Sequence, residues 1–406
     1  MAEPARCRGC GGTQMTGVLD LGVVPLANSL LEDAKQLEDT FPLTLFFCPD
    51  CQLVQIGETV PPERLFKHYL YASSFSDTML EHARTLVESL VEKYRPDSRS
   101  LIVEIASNDG YLLKNYQAQN IPVMGIEPAE NIAQLAEDAG IATRCAFFTA
   151  AFAKQLVDEG VRADIIHAHN VFAHVPDPND LLEGVYTLLK PDGVCVIEAP
   201  YLCDLIDKLE FDTIYHEHFS YFCLGAVVKL AERHGLAVID AEPVAIHGGS
   251  LRYTLAHSGA PIHLRVQSIL KEEHEKGVHQ AGYYQYFAQR VWQRKRDLLA
   301  LLQKLKTGGA HIAAYGASAK GSTLMNAFDI GADLIDFVVD RSTLKQGRFT
   351  PGNRLPILPT EALVEQHPDY VLLLTWNFAQ EILSQQAAYR AGGGKFIVPL
   401  PELMVI

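Results

Sequence analysis

Between residues 100 and 200, apolar positions gather in short runs set between stretches of helical period. "SLIVEIA" (100–106), "PVMGIEP" (122–128), "ADIIHAHN" (163–170) and "GVCVIEAP" (193–200) are too short for helices and predict strands. Strands alternating with helical segments over about 70–290 predict a mostly parallel sheet with helices on both faces. "TLAHSGAPIHLRVQSIL" (254–270) begins a different texture and leads into a long helix, "YFAQRVWQRKRDLLALLQKLKTGG", closed by Gly308 and Gly309. Beyond it, "HIAAYGASAKGSTLMNAF", "LIDFVVD" and "PDYVLLLTWN" repeat strand, glycine turn and helix, which predicts a second, smaller doubly wound α/β domain. Residues before about 65 are turn-rich and lack a long amphipathic helix. The pattern divides the chain at 1–68, 69–290 and 291–406.

Composition narrows the partners. The 406 residues suffice for two or three domains with real cores. Lys plus Arg is 34 against 49 for Asp plus Glu, a net charge of −15. That balance argues against nucleic acid or an anionic membrane surface as the main partner. The start, "MAEPARCRGC", has no apolar core of a signal peptide, and no apolar run approaches bilayer length, so the expectation is cytoplasmic.

Of eight cysteines, four stand in two CxxC pairs, "CRGC" (Cys7, Cys10) and "CPDC" (Cys48, Cys51). Two such knuckles bring four thiolates into the tetrahedron that Zn²⁺ accepts in a closed site. No histidine stands near them to open a catalytic position, so the zinc is expected to be structural. The alternative is four unrelated cysteines. Cys145, Cys195, Cys203 and Cys223 sit among apolar neighbours, as buried reduced thiols do.

"IVEIASNDGYLLK" (102–114) reads as strand, tight polar turn and helix start, whose free N–H groups suit a carboxylate or phosphate. Glu127 in "GIEPAE" ends the next strand, where an acid can accept both hydroxyls of a ribose. These features fit NAD and S-adenosylmethionine equally, and a plain βαβ turn would also produce them.

"VEIASNDG", "GIEPAE", "NVFAHVPD" and "YHEHFSYF" together resemble the S-adenosylmethionine-dependent sugar C-methyltransferases of unusual deoxysugar pathways. The resemblance covers nearly the whole chain. It implies a small N-terminal zinc-binding module, a central class I (Rossmann-like) methyltransferase domain and a C-terminal α/β domain. It also implies that Glu104, Asn108 and Asn170 lie toward the methionine and sulfonium end, that Ala106 and Gly110 belong to the same cofactor site, that Glu127 binds the ribose, and that Phe147 flanks the adenine. Two positions depart from the family: Ala106, where glycine is usual, and Ala146, where an acid often meets the adenine amino group.

C-methylation needs a carbanion equivalent, and a sugar carbon is acidic enough only beside a ketone. A site for it therefore needs a base for the C–H proton and a donor for the enolate oxygen. The resemblance assigns the base to His218, with Glu217 and Tyr215 as partners; a carboxylate bonded to the imidazole would fix its tautomer. The same stretch also suits a plain aromatic core at a helix start, with His216 a bystander. Tyr69 and Tyr71 in "HYLYASSFS" (68–76) match a second aromatic motif expected to close over the sulfonium.

On the substrate side the expected residues are Tyr201; His247 and Arg252 of "VAIHGGSLRYTLA", where the arginine could pair with a diphosphate; Lys320 of "YGASAKGST", a loop whose N–H groups could cradle a phosphate; and Asn377. The substrate class the resemblance implies is a nucleotide-diphosphate 4-keto sugar, with thymidine or guanosine as the nucleoside, methylated at carbon 3. Two other readings compete. One is an NAD-dependent sugar-nucleotide oxidoreductase using "YGASAKGST"; the other is a zinc-ribbon nucleic-acid binder or RNA methyltransferase, disfavoured by the negative charge.

Overall fold

The four predicted central strands are the middle of one seven-stranded sheet in the computed structural model, which describes residues 6–61, 64–65, 74, 77–246 and 248–406. Tyr69, Tyr71 and His247 therefore lie outside the described residues. The N-terminal segment contributes β1 (Thr16–Pro25), β2 (Thr40–Phe47) and β3 (Val54–Ile56), paired antiparallel in sequence order. The central segment supplies β4 (Ile102–Ile105), β5 (Val123–Ile126), β6 (Thr143–Arg144), β7 (Ala163–His169) and β8 (Leu189–Pro200). It continues with β9 (Ser220–Tyr221), β10 (Leu236–Val244) and β11 (Ser250–His257).

The large sheet runs β10-β11-β8-β7-β4-β5-β6. Its parallel strands β4 and β7 are buried on both faces, which is why they read as unbroken apolar runs. The change of texture near residue 254 is the antiparallel pair β10 and β11, added to the edge of β8. β9 belongs elsewhere. It leaves the central segment to pair with β3, with Gln55 opposite Ser220 and Val54 opposite Tyr221.

The 27-residue helix Ala281–Thr307 runs unbroken through position 290. Its buried residues Tyr284, Phe287, Val291, Leu298 and Leu302 recur at helical spacing and fall in one apolar core with Leu45 and Phe47 of β2 and Val371 and Leu372 of the C-terminal sheet. Phe47 stacks on Tyr284 at 4.5 Å between ring centroids. The C-terminal sheet is built of β12 (Ile312–Tyr315), β13 (Val338–Val339), β14 (Ile357–Leu358), β15 (Tyr370–Leu373), β16 (Lys395–Val398) and β17 (Met404–Val405). Their order is β14-β13-β12-β15-β16-β17, parallel except for β17. The predicted second α/β unit is present. Cys195, Cys203 and Cys223 are buried as expected, but Cys145 is exposed.

Candidate active site

A cavity of about 540 Å³ opens where the C-terminal ends of the central parallel strands meet the other two segments. That is the ordinary place for a ligand in an open α/β sheet. Of the expected residues, Ala106, Asn108, Glu127, Phe147, Asn170, Tyr201, Tyr215, Glu217, His218 and Lys320 line it. Glu104, Gly110, Arg252 and Asn377 do not.

One wall follows from the turn after β4. Ala106, Asn108 and Gly110 all take left-handed backbone, with φ of 52°, 51° and 78°. Asparagine tolerates this conformation; a Cβ at Gly110 would also fall 2.7 Å from Ile141, so glycine answers two demands there. At Ala106 a side chain sits where glycine would be unstrained, which explains the family's preference. Asn108 N–H donates to Glu127 Oε2 and Ala129 N–H to Oε1, both at 2.9 Å. Burial raises the Glu127 carboxyl, and these two donors oppose the rise. Each oxygen keeps a second lone pair for a ligand diol. Phe147 stands 39% exposed, an aromatic face left open on the same cavity. Glu104 lies beneath, fully buried with Oε2 unpartnered; burial first, then repulsion from Glu127 and Asp109, pushes it well above the usual carboxylate range. A buried diol acceptor beside an open ring fits the adenosine of S-adenosylmethionine.

The motif at 215–221 is a turn running into β9, not a helix start. His218 Nδ1 lies 2.8 Å from the Thr213 carbonyl, which can only accept. A proton therefore sits on Nδ1, so in its neutral form the ring presents an Nε2 lone pair, 3.2 Å from the Tyr215 hydroxyl. A backbone carbonyl, and not the Glu217 carboxylate, thus holds the Nδ1 proton. Glu217 instead accepts from the Asn28 amide at 2.7 Å. Burial raises the Glu217 carboxyl to about 7, against the pull of Asn28. His174 stands edge-on to His218, centroids 4.6 Å apart, and burial lowers it to about 4, which keeps it neutral. His216 turns to the Pro42 carbonyl at 3.2 Å and is absent from the cavity wall.

On the substrate side, Tyr201 lines the cavity and its hydroxyl donates to Glu273 at 3.0 Å. Arg252 is held by Glu198 at 2.5 Å and Glu242 at 3.1 Å, its cross-strand neighbours on β8 and β10. A guanidinium so engaged has no wall position from which to meet a diphosphate. Asn377 lies in the turn Trp376–Phe378, off the cavity. Of the loop 315–323, Lys320 alone reaches the wall. The Ala317 N–H donates to Asp340 at 2.8 Å, so a carboxylate rather than a phosphate takes that donor. This weakens the NAD reading.

Asn28, Glu210, Thr213 and His174 also line the cavity and went unread in the sequence. His174 had a signal, its place within "NVFAHVPD". Asn28 had none, because its partner is 189 residues away.

The metal site is separate. The Sγ atoms of Cys7, Cys10, Cys48 and Cys51 all lie within 4.8 Å of one another. Cys7–Cys51 is 3.3 Å and Cys10–Cys48 is 3.6 Å. Four sulfurs about 2.3 Å from a zinc ion would stand about 3.8 Å apart, so this donor set fits a closed Zn²⁺ site with small adjustment. Arg8, between two ligands, donates its backbone N–H to Gln55 Oε1 of β3 at 2.7 Å.

Family models match the chain in three blocks: a zinc binding domain over residues 7–66, a methyltransferase domain over 79–241, and a C-methyltransferase C-terminal domain over 245–401. The chain is 38% identical over 404 residues to the C-methyltransferase NovU of Streptomyces niveus, covering 98% of this chain and 96% of that one. A ubiquinone biosynthesis O-methyltransferase of Colwellia psychrerythraea is 29% identical over 132 residues, 30% of this chain and 52% of the relative. Among solved structures, the Haloferax volcanii Trm112 activator–methyltransferase complex aligns at 13% identity over 44% of this chain and 92% of that one, with a TM-score of 0.37, too low to carry an argument. With its four-cysteine module, its methyltransferase sheet and a full-length relative of that kind, the chain belongs to the S-adenosylmethionine-dependent C-methyltransferases that carry an N-terminal zinc-binding domain.

Proposed function

We propose that the protein methylates a nucleotide-diphosphate-linked 4-keto sugar at carbon 3, beside the ketone, through an enolate formed by His218. The observation that carries this reading is the Thr213–His218–Tyr215 arrangement at the cavity wall. It presents a neutral imidazole lone pair next to a phenol, the pairing that enolisation requires. S-adenosylmethionine supplies a methyl cation equivalent when bound; Glu127, Asn108 and Phe147 would hold its adenosine end. His218 Nε2 takes the C–H proton, and the Nδ1 hydrogen bond to Thr213 strengthens as the ring becomes imidazolium. Tyr215 O–H is placed to turn from Nε2 to the developing enolate oxygen as that nitrogen is protonated. The buried walls keep water from the enolate. Thymidine diphosphate is the carrier we favour, with guanosine diphosphate second.

The test is incubation of the protein with labelled S-adenosylmethionine and a panel of thymidine- and guanosine-diphosphate 4-keto sugars. Label should enter a carbon next to the ketone of at least one member. Label on oxygen, or on none of them while another class of ketone is methylated, would replace this substrate assignment.

A further inference from the structure

Glu210 and Lys320 come from distant parts of the chain and meet at the cavity wall. Glu210 precedes the turn Phe211–Thr213, and Lys320 opens the helix Ala319–Ala327 of the C-terminal segment. Lys320 Nζ stands 3.8 Å from Glu210 Oε2, too far for a hydrogen bond, and 5.1 Å from the centre of the Trp376 ring. The Trp376 indole N–H donates to Asp212 at 2.7 Å, which fixes the ring under the ammonium. Lys320 Nζ and Glu210 Oε1 are both shielded from solvent and lack hydrogen-bond partners. Glu210 is only 4% exposed. The backbone is packed close behind it: a Cβ at Gly248, where φ is 95°, would come 2.4 Å from its carboxylate. Lys208 favours the Glu210 carboxylate only through its charge, since its hydrogen bonds go to Asp204 and the Gly248 carbonyl.

Polar groups buried without hydrogen bonds are costly, and a ligand atom that bonded both would remove that cost. A phosphate would satisfy Lys320 but would bring negative charge against Glu210 and Asp212. A hydroxyl has the required character, because one oxygen both accepts and donates. It can stand about 2.8 Å from Lys320 Nζ and from a Glu210 oxygen at once.

We propose that Glu210 and Lys320 form a subsite that reads one free hydroxyl on the substrate sugar, Glu210 accepting a hydrogen bond from its O–H and Lys320 donating one to its oxygen. This inference rests on the keto-sugar reading above. It assigns Lys320 to sugar selection rather than to the diphosphate.

The experiment compares thymidine-diphosphate-linked 4-keto-6-deoxyglucose with its 2-deoxy and 3-deoxy analogues, using the full chain and S-adenosylmethionine. Glu210→Ala and Lys320→Met should each lower kcat/KM for the parent sugar about 10- to 100-fold, the range for a hydrogen bond to a charged group. One of the deoxy analogues should stay within about twofold, because it has no hydroxyl to lose. Glu210→Gln, which keeps the shape of the site, should show the same selective loss at smaller size if a truncation misfolds. Equal losses on all three sugars would overturn the subsite. So would weaker binding of thymidine diphosphate alone to Lys320→Met, which would return the lysine to the phosphates. If the wild type turns over none of these three sugars or their guanosine-diphosphate counterparts, the keto-sugar reading falls and takes the subsite with it. A working wild type with unselective variants overturns the subsite only.

Discussion

Asn28 donates its side-chain amide to Glu217 Oε1 at 2.7 Å, so a residue of the N-terminal module sets the charge of an acid in the methyl-transfer cavity. Burial has lifted Glu217 to about 7, and Asn28 pulls the other way by favouring the carboxylate. A carboxyl raised in the folded state favours folding fully below its unfolded pKa, about 4.5, and loses that contribution as pH rises through about 7. The ligand-free protein should therefore lose up to roughly 3 kcal/mol between pH 5 and 8 through this group. Glu217→Gln should flatten that slope, and Asn28→Ala should move it to higher pH. Thermal melts across the pH range check both; slopes unchanged in both variants would leave Glu217 ionised throughout. Glu210, also raised to about 7 by burial, adds a second component that Glu217→Gln will not remove.

His218→Ala should leave S-adenosylmethionine binding intact and slow turnover about 10²- to 10⁴-fold, the usual contribution of a general base. It should also abolish exchange of the proton beside the ketone in deuterated water with no methyl donor present. That measurement isolates enolisation from methyl transfer. Exchange that survives in His218→Ala but disappears in Glu217→Gln would make the acid the base.

One zinc per chain should be found by metal analysis, bound by Cys7, Cys10, Cys48 and Cys51. Replacing one ligand, as in Cys48→Ser, should lower the melting temperature before it alters chemistry at the cavity, because metal binding here is folding free energy. An intact fold with no metal would remove zinc from the account.

Arg252→Met should destabilise the protein by about 3–5 kcal/mol, because it leaves Glu198 buried without its guanidinium. Burial works against ionising Glu198, yet His169, His82 and Arg252 together hold it well below the usual carboxylate range. Substrate affinity should not change when measured below the variant's melting point. A large rise in KM with unchanged stability would restore Arg252 to the diphosphate.

These four expectations divide along what a sequence can carry. β4 and β7 were legible because strands buried on both faces must be apolar throughout. The cysteine pairs were legible because metal ligation fixes local spacing. The "YHEH" turn could be read as chemistry, yet the groups that tune it could not. Thr213 acts through a backbone carbonyl, which leaves no mark on residue type. Asn28 arrives from the N-terminal segment, 189 residues away. Arg252 looked available because its partners, Glu198 and Glu242, are neighbours only across strands.

β9 constrains how relatives of this chain can be recombined. The zinc knuckle, through Arg8 and Gln55, abuts the strand that begins at Ser220, two residues past His218. A chimera joined between the N-terminal module and the methyltransferase domain would seat a foreign β3 against a native β9 and shift the imidazole with it. Crossovers that move residues 7–56 together with 211–222 should keep activity, whereas crossovers that part them should yield folded proteins that bind cofactor but transfer methyl groups slowly.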